Sequence, residues 1–359
     1  MHHQDVIEER YTVAVINRFQ ELEDEGSGKC FVEALDEAVK EIIPLKLKKQ
    51  KWMTEEIPGL GFEVRSRRQK APESESYYRI ESSEPGTCMH FRSEEGVYEF
   101  VSDGTDTVCA LYIISDPEYI VEFEFYSIDV SCLKGLVAVI DGWELNGQFF
   151  PGEQDHPKAM KYRFTEYCGR KKLLKPFRTS QNVGLIQFHV PRRGEGYTVS
   201  VRFRPNKKPC NAVMQWPDGL YTLRNYGRNV NCTIAFIMKP ERFRVVAASI
   251  GTQAYGINIS QLDVETGLVS KCSKRGVSDF VEIKGGYGLD PQFMITAADR
   301  CGTLSLPSKE VIDVACSSTA IRLVSSGQYE NSVTVSFEGL NEEHLSTHTP
   351  TLICPFETI

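Results

Sequence analysis

No apolar run in this 359-residue chain approaches the roughly 18 residues that would carry a helix across a bilayer. The usual catalytic signatures are also missing. There is no Gly-x-Ser-x-Gly elbow, no His-Glu-x-x-His, no Walker-type Gly-x-x-x-x-Gly-Lys and no Gly-x-Gly-x-x-Gly. Basic charge is not in surplus: 41 Lys and Arg face 49 Asp and Glu, for a net charge of −8. That balance gives no electrostatic reason to expect nucleic acid or an anionic membrane as partner. No Cys-x-x-Cys pair occurs, so a zinc site lacks its usual ligand spacing. Residues 1–30 carry Glu8, Glu9, Glu21, Glu23, Asp24 and Glu25, without the apolar stretch of about 7–15 residues that a secretory leader needs. No metal, cofactor or enzymatic activity is expected.

Cysteine is what the chain does have. Ten of eleven form a spaced series from Cys88 to Cys354, with Cys30 set apart. A reducing compartment would keep such thiols free, so an even, spread-out set points to an oxidising one. Bridges between neighbours would close loops of roughly 20–40 residues, each adding about 3–4 kcal/mol. Spacing alone does not choose among the many connectivities open to ten cysteines. An oxidising destination and the missing leader pull against each other, and the expectation is a missing or misassigned start.

Along the chain the texture changes near residue 86. Before it, Phe31, Leu35, Val39 and Ile42 recur at three- and four-residue steps, which predicts one short amphipathic helix ended by Pro44. A basic cluster (Lys46, Lys48, Lys49, Lys51) and a Pro-Glu-Ser stretch follow, so residues 1–85 read as a partly disordered extension. After it, Val121, Phe123 and Phe125 alternate with Glu122, Glu124 and Tyr126, and Tyr197, Val199, Val201 and Phe203 alternate with Thr198, Ser200 and Arg202. Period-2 alternation marks half-buried strands. Leu185, Gln187 and His189 oppose Ile186, Phe188 and Val190, which predicts an outward-facing His189. Short strands between Gly, Pro, Asp and Asn favour an all-β sandwich or jelly roll. The grammar repeats loosely in two halves, divided near Pro205–Pro209. The boundaries expected are 86–207 and 208–359.

Three stretches carry a resemblance. They are Ile140-Asp141-Gly142-Trp143 with Phe150-Pro151 and Gln154-Asp155-His156-Pro157; Ser180-Gln181-Asn182-Val183; and Ser278-Asp279-Phe280-Val281-Glu282 with Gly286-Tyr287-Gly288-Leu289-Asp290-Pro291. With the two-half cysteine series, these resemble CUB modules and, more closely, the corticotropin-releasing-factor-binding protein family, over about residues 86–340. The resemblance implies two tandem CUB-like antiparallel β-sandwiches. It implies the pairing Cys88–Cys109, Cys132–Cys168, Cys210–Cys232, Cys272–Cys301 and Cys316–Cys354. It further implies a secreted, extracellular glycoprotein that sequesters a peptide hormone of the corticotropin-releasing-factor type, or of the related diuretic-hormone type. The alternative is an extracellular CUB-type adhesion or scaffold protein. Asn231-Cys232-Thr233 and Asn258-Ile259-Ser260 are N-glycosylation triplets, so Asn231 and Asn258 are candidate acceptors.

One departure bears on metal. Many CUB modules hold calcium through carboxylates, yet Leu133-Lys134-Gly135-Leu136 after Cys132 offers no acid, and a hard cation needs about six oxygens. In the second half Asp263 and Asp279 remain, without an evident third partner. For a helical peptide, an aromatic patch is the expected acceptor. Trp143, Phe149 and Phe150 beside the Asp-Gly turn are the candidates, with Trp216 next; each serves equally well as a core or interdomain anchor.

Overall fold

The computed structural model describes residues 76–80, 88–145, 147–171, 175–237, 241–251, 267–340 and 349–354. The amphipathic helix expected at Phe31–Ile42, Cys30, Asn258 and Asp263 lie outside the described residues.

Among the described residues the regular structure is strand, apart from three short 3-10 turns. The first lobe opens with β1 (Tyr77–Ile80), β2 (Met89–Arg92), β3 (Gly96–Val101), β4 (Val108–Ile114) and β5 (Tyr119–Val130). It continues through β6 (Leu136–Ile140), β7 (Trp143–Leu145), β8 (Gln148–Phe150), β9 (Phe164–Tyr167) and β10 (Gly169–Lys171), then β11 (Phe177–Arg178), β12 (Val183–His189) and β13 (Gly196–Pro205). The second lobe begins with β14 (Ala212–Met214), β15 (Asp218–Arg224), β16 (Cys232–Ile237), β17 (Glu241–Ile250) and β18 (Leu268–Ser270). It ends with β19 (Phe280–Gly286), β20 (Ile295–Leu304), β21 (Ile312–Ala315), β22 (Ser318–Val324), β23 (Ser332–Gly339) and β24 (Leu352–Ile353).

In the first lobe one sheet runs β1-β3-β13-β5-β10, with β11 also on β5, and the other runs β2-β4-β12-β6-β9. The interior between them takes the apolar members of each alternation: Val121, Phe123 and Phe125 from β5, Tyr197, Val199 and Val201 from β13, and Ile186 and Phe188 from β12. In the second lobe a single sheet turns a corner. β14-β16-β22-β19-β20 forms one layer, and β20 then joins β17 only at their ends (Ala248 opposite Leu304), where β23, β15, β21 and β24 continue the other. Its interior gathers Phe236, Phe243, Ile283, Ile321, Leu323, Val335 and Phe337.

Five disulfides join neighbours in sequence: Cys88–Cys109, Cys132–Cys168, Cys210–Cys232, Cys272–Cys301 and Cys316–Cys354. Their Cα–Cα separations run from 4.5 to 6.1 Å, inside the range a bridge requires without moving backbone.

Two readings from alternation need correction. Leu185 and Gln187 do lie opposite Ile186 and Phe188, but both are buried, because a second layer covers the outer face of that sheet. Only His189, at the strand end, keeps partial exposure, with Asp106 at 2.5 Å. Glu122 is also buried. Arg178 and Arg204 roof it at 2.5 and 2.7 Å; burial pushes its carboxyl up, and the two guanidinium groups pull it down further than that, to a net value below the ordinary one.

Candidate functional site at the seam between the lobes

The second layer over the first lobe is largely the second lobe. A third apolar cluster unites Ala110, Tyr112, Ile114, Ile140, Trp143, Phe150, Val183 and Leu185 with Val213, Ala235 and Leu289 of the second lobe. Asn182 extends this junction with polar bonds. Its amide N–H donates to Val213 O at 2.8 Å, and its oxygen accepts from Val213 N–H at 2.9 Å. A side-chain amide thereby pairs with a strand edge as another strand would.

Above the apolar cluster sits Asp141, fully buried at the end of β6. Its carboxylate accepts from Lys158 Nζ (2.6 Å), Ser180 N–H (2.6 Å), Ser180 Oγ (2.7 Å) and Gln181 Nε2 (3.0 Å), with His156 Nε2 at 3.5 Å. Burial pushes this carboxyl up, but His156 and Lys158 together outweigh it and hold Asp141 well below the usual carboxylate range. Arg163 is buried beneath and donates to Asp141 O, Pro151 O and Phe150 O at 3.1, 2.8 and 3.3 Å. Burial pushes its guanidinium down to about 10, against the pull of Asp141 and Asp290. Gly142 is required here. It has φ +123°, and a Cβ would lie 2.2 Å from Phe150 O.

This network fixes the loop 151–158, which reaches across to the second lobe. Arg322 Nε donates to both oxygens of Asp155 (2.9 and 3.0 Å), and Thr233 Oγ donates to Asp155 Oδ2 at 2.7 Å. Asn211 Nδ2 donates to Asp155 O at 3.0 Å, and Arg322 Nη2 reaches Gln154 Oε1 at 3.2 Å. Arg322 Nη1 also contacts Glu282 at 3.3 Å, and Lys284 completes a chain of alternating charge at 3.9 Å. Asp155 and Arg322 side chains are 2% and 12% exposed, so this is a buried pair. Burial lowers the Arg322 guanidinium, while Asp155 and then Glu282 outweigh that and raise it. A second clasp lies nearby. Asp290 N–H donates to Gln148 Oε1 at 3.1 Å, a Cβ on Gly288 would fall 1.9 Å from that same oxygen, and one on Gly152 would fall 2.5 Å from Asp290 Oδ1.

The structure brings the predicted aromatics to this seam but faces them inward. Trp143 is 8% exposed, and its indole N–H donates to Ile113 O and Gly184 O at 3.1 and 3.2 Å. Phe150 is fully buried. Both rings are anchors of the junction, the other of the two readings open to them from the sequence. Phe149 alone stays half-buried, edge-on to Phe164. Trp216 packs against the second-lobe core. Asn231 is half-buried at the seam's edge, with Nδ2 toward Gln154 O and Oδ1 toward Ser325 N–H, both at 3.4 Å. Asp279 accepts from Ser326 N–H, Asn331 Nδ2 and Ser278 Oγ. Among the described residues no group of three His, Cys, Asp or Glu stands close enough to hold a metal ion. Nor is any described helix long and apolar enough to cross a membrane.

Sequence reading missed the joining role of Asp155 and Gly288, and missed Arg322, Gln148 and Gly152 altogether. Asp155 and Gly288 stand in the stretches Gln154–Pro157 and Gly286–Pro291, polar and glycine-rich without strand period, whereas Arg322, Gln148 and Gly152 carry no such mark, and nothing in one sequence says that these residues meet.

Comparison with known proteins follows the same residues. The model of the corticotropin-releasing factor binding protein N-terminal domain matches residues 81–205, and that of the C-terminal domain matches residues 212–346. The corticotropin-releasing factor-binding protein of Ovis aries is 33% identical over 259 residues, covering 72% of this chain and 76% of that protein. Those of Homo sapiens and Xenopus laevis are each 32% identical, covering 72% and 71% of this chain and 77% of either relative. Among solved structures, the CUB1-EGF-CUB2 domains of rat MASP-1 align with 70% of this chain and 99% of that one, at 13% identity and a TM-score of 0.24. The full extracellular region of zebrafish Gpr126/Adgrg6 aligns with 73% of this chain and 38% of that one, at 10% identity and a TM-score of 0.25. Two family models that together span most of the chain, and relatives that share both lobes, place it: the chain belongs to the corticotropin-releasing factor-binding protein family.

Proposed function

We propose that this chain is a secreted binding protein that captures a peptide of the corticotropin-releasing-factor type, including its diuretic-hormone relatives, and thereby limits receptor signalling. The observation that carries the reading is family membership extending through both lobes, so the whole two-lobe body, and not one module, is shared with proteins named for binding that hormone. The chemistry agrees. Five bridges suit an extracellular medium. The carboxylates of Asp141 and Asp155 are spent on holding loops: Lys158 and Ser180 engage the first, Thr233 and Arg322 the second.

Calorimetric titration of the disulfide-bonded chain with synthetic corticotropin-releasing factor tests the proposal. Saturable one-to-one binding at nanomolar to low micromolar concentration is expected. Absence of heat and of any shift in thermal midpoint, with this peptide and with a diuretic-hormone peptide alike, would refute it.

A further inference from the structure

The two lobes differ at one sheet edge. In the first lobe β3 lies between β13 and β1, and β1 runs parallel to it from Tyr77 opposite Val97 to Ile80 opposite Phe100. β15 is the counterpart of β3 in the second lobe. Gly96 and Gly219 stand at the start of the two strands with φ +155° and +153°, and each strand pairs antiparallel with the next one inward, β13 or β23. Among the described residues nothing stands where β1 would be, so β15 pairs with β23 alone. Residues along an antiparallel strand turn their backbone groups alternately to its two sides. Asn225 N–H, just past β15, donates to Asn331 O on the β23 side at 3.2 Å, so Asp218, Leu220, Thr222 and Arg224 present theirs on the open side. The first lobe has the same parity: Val97 N–H donates outward to Ser76 O at 2.8 Å. An open edge is a template for another strand unless its side chains forbid it.

Here the side chains select the occupant. Asp218 is exposed and lies opposite Glu338, a like charge. Arg242 beyond Glu338 is held by both oxygens of Asp313 at 2.8 and 2.9 Å and reaches Glu338 at 3.7 Å. At the far end of β15, Arg224 is exposed opposite Ser332. Among the described residues neither Asp218 nor Arg224 has an ion-pair partner. The two charges share one face, about 20 Å apart along the strand, with Leu220, 59% exposed, between them. A second β15 laid antiparallel about a twofold axis at Tyr221 sets Asp218 opposite Arg224 of the other copy at both ends, and Leu220 opposite Thr222. Centring on Leu220 or Thr222 leaves both charges unmatched, and a one-residue slip opposes residues whose backbone groups face away. Charges that guard an edge repel a second copy; these two attract it.

We propose that β15 is a self-pairing edge: two copies of this chain join their second lobes strand to strand, antiparallel about Tyr221, with Asp218 and Arg224 paired at each end. A twofold contact is self-complementary, so one strand supplies both halves. Opposite charges directly across an antiparallel pair stabilise it, and like charges oppose it. The contact is small, so the association is weak, at micromolar concentration. It requires no hormone and does not depend on the hormone-binding reading.

Sedimentation velocity on the full disulfide-bonded chain, across micromolar concentrations and without peptide, tests the pairing. The wild type should form a concentration-dependent dimer. Asp218→Arg and Arg224→Asp should each weaken it about tenfold or more, since each sets like charges opposite one another at both ends. Both side chains are exposed, so thermal midpoints should match the wild type. An equimolar mixture of the two variants should dimerise again, because each then supplies the charge that the other lacks. A wild type that stays monomeric, single reversals that dimerise as the wild type does, or a mixture that stays monomeric would each overturn the proposal.

Discussion

The two lobes turn the same sheet face toward each other and furnish it with opposite chemistry. Cys109 on β4 and Cys232 on β16 hold matching places, each beside the central strand at Phe188 and Leu323 respectively. Counting from them, Ala110 corresponds to Thr233, Tyr112 to Ala235, Gln187 to Arg322, Ala138 to Glu282 and Ile140 to Lys284. The first lobe's face is mostly apolar. The second lobe's is threaded with charge. Taken alone, Glu282, Lys284 and Arg322 look like a solvated strand face, and the second lobe looks like an independent module. Its polar face is instead answered by the loop 151–158 of the first lobe, which delivers Asp155 to Arg322 and Thr233. A pair of sandwiches built this way is one body. The apolar part supplies area, and the charged part supplies register, since only one placement pairs every buried ion.

The sharpest way to break that arrangement is from the apolar side. Trp143→Ala removes a buried ring whose indole also satisfies two carbonyl oxygens, and a cavity of that kind costs about 3–5 kcal/mol. Differential scanning calorimetry should show the loss as a lowered midpoint. A tenfold drop in hormone affinity with no loss of stability would mean that Trp143 faces ligand after all.

From the charged side, Asp155→Ala leaves the Arg322 guanidinium buried without its main partner. Breaking a buried pair from one end costs about 3 kcal/mol or more. Adding Arg322→Met should recover part of that loss, because an apolar replacement of both partners is far less costly than one orphaned charge. A double-mutant cycle reads the coupling directly. Additive losses would show that the two groups do not act together across the seam.

Most of the fold was legible because alternation and cysteine spacing are local. Val121, Phe123, Phe125, Tyr197, Val199 and Val201 are all buried where period 2 places them. What alternation does not report is a second burial of the outer face. Leu185 and Gln187 read as solvent-facing because one-sided packing is the default for an antiparallel sheet. Their burial depends on a lobe whose contacting residues lie far along the chain. The same limit explains the aromatics: Trp143 and Phe150 were recognisable as special beside Asp141-Gly142, but ring and ligand, or ring and second lobe, give the same local pattern. The motifs that pointed to the family were informative for a reason the structure supplies. Asp141, Asp155, Asn182, Gly288 and Asp290 are the residues that join the lobes or set the loops that do.

Acid offers a graded probe of the seam. The folded Asp141 carboxyl lies below its ordinary value, so its contribution to stability is complete above about pH 4 and is lost as pH falls toward the folded value. Thermal midpoints should therefore decline below about pH 4 in the wild type and decline less in Asp141→Asn. Parallel curves for the two proteins would show that the Asp141 network does not respond to protonation.

Glu144, on the hairpin next to that network, should show the opposite sign and the smallest effect. Burial raises its carboxyl above the ordinary value, against the hydrogen bonds from Gly147 N–H and Gln187 Nε2. Its favourable contribution is complete below about pH 4.3 and is lost as pH rises through the raised folded value, so at neutral pH it is a buried charge that the fold tolerates. Glu144→Gln removes that charge. The introduced amide keeps one oxygen for Gly147 N–H, and its NH₂ meets Gln187, whose buried Oε1 has no hydrogen-bond partner and needs only a rotation of its own amide to accept. Equal or greater stability than wild type at pH 7, by up to about 1 kcal/mol, is therefore expected, with the gap closing as pH falls below 4.3. A variant that is less stable at pH 7 would mean that the charged carboxylate, and not a neutral acceptor, is what holds the Gly147 turn and the aromatic face beneath it.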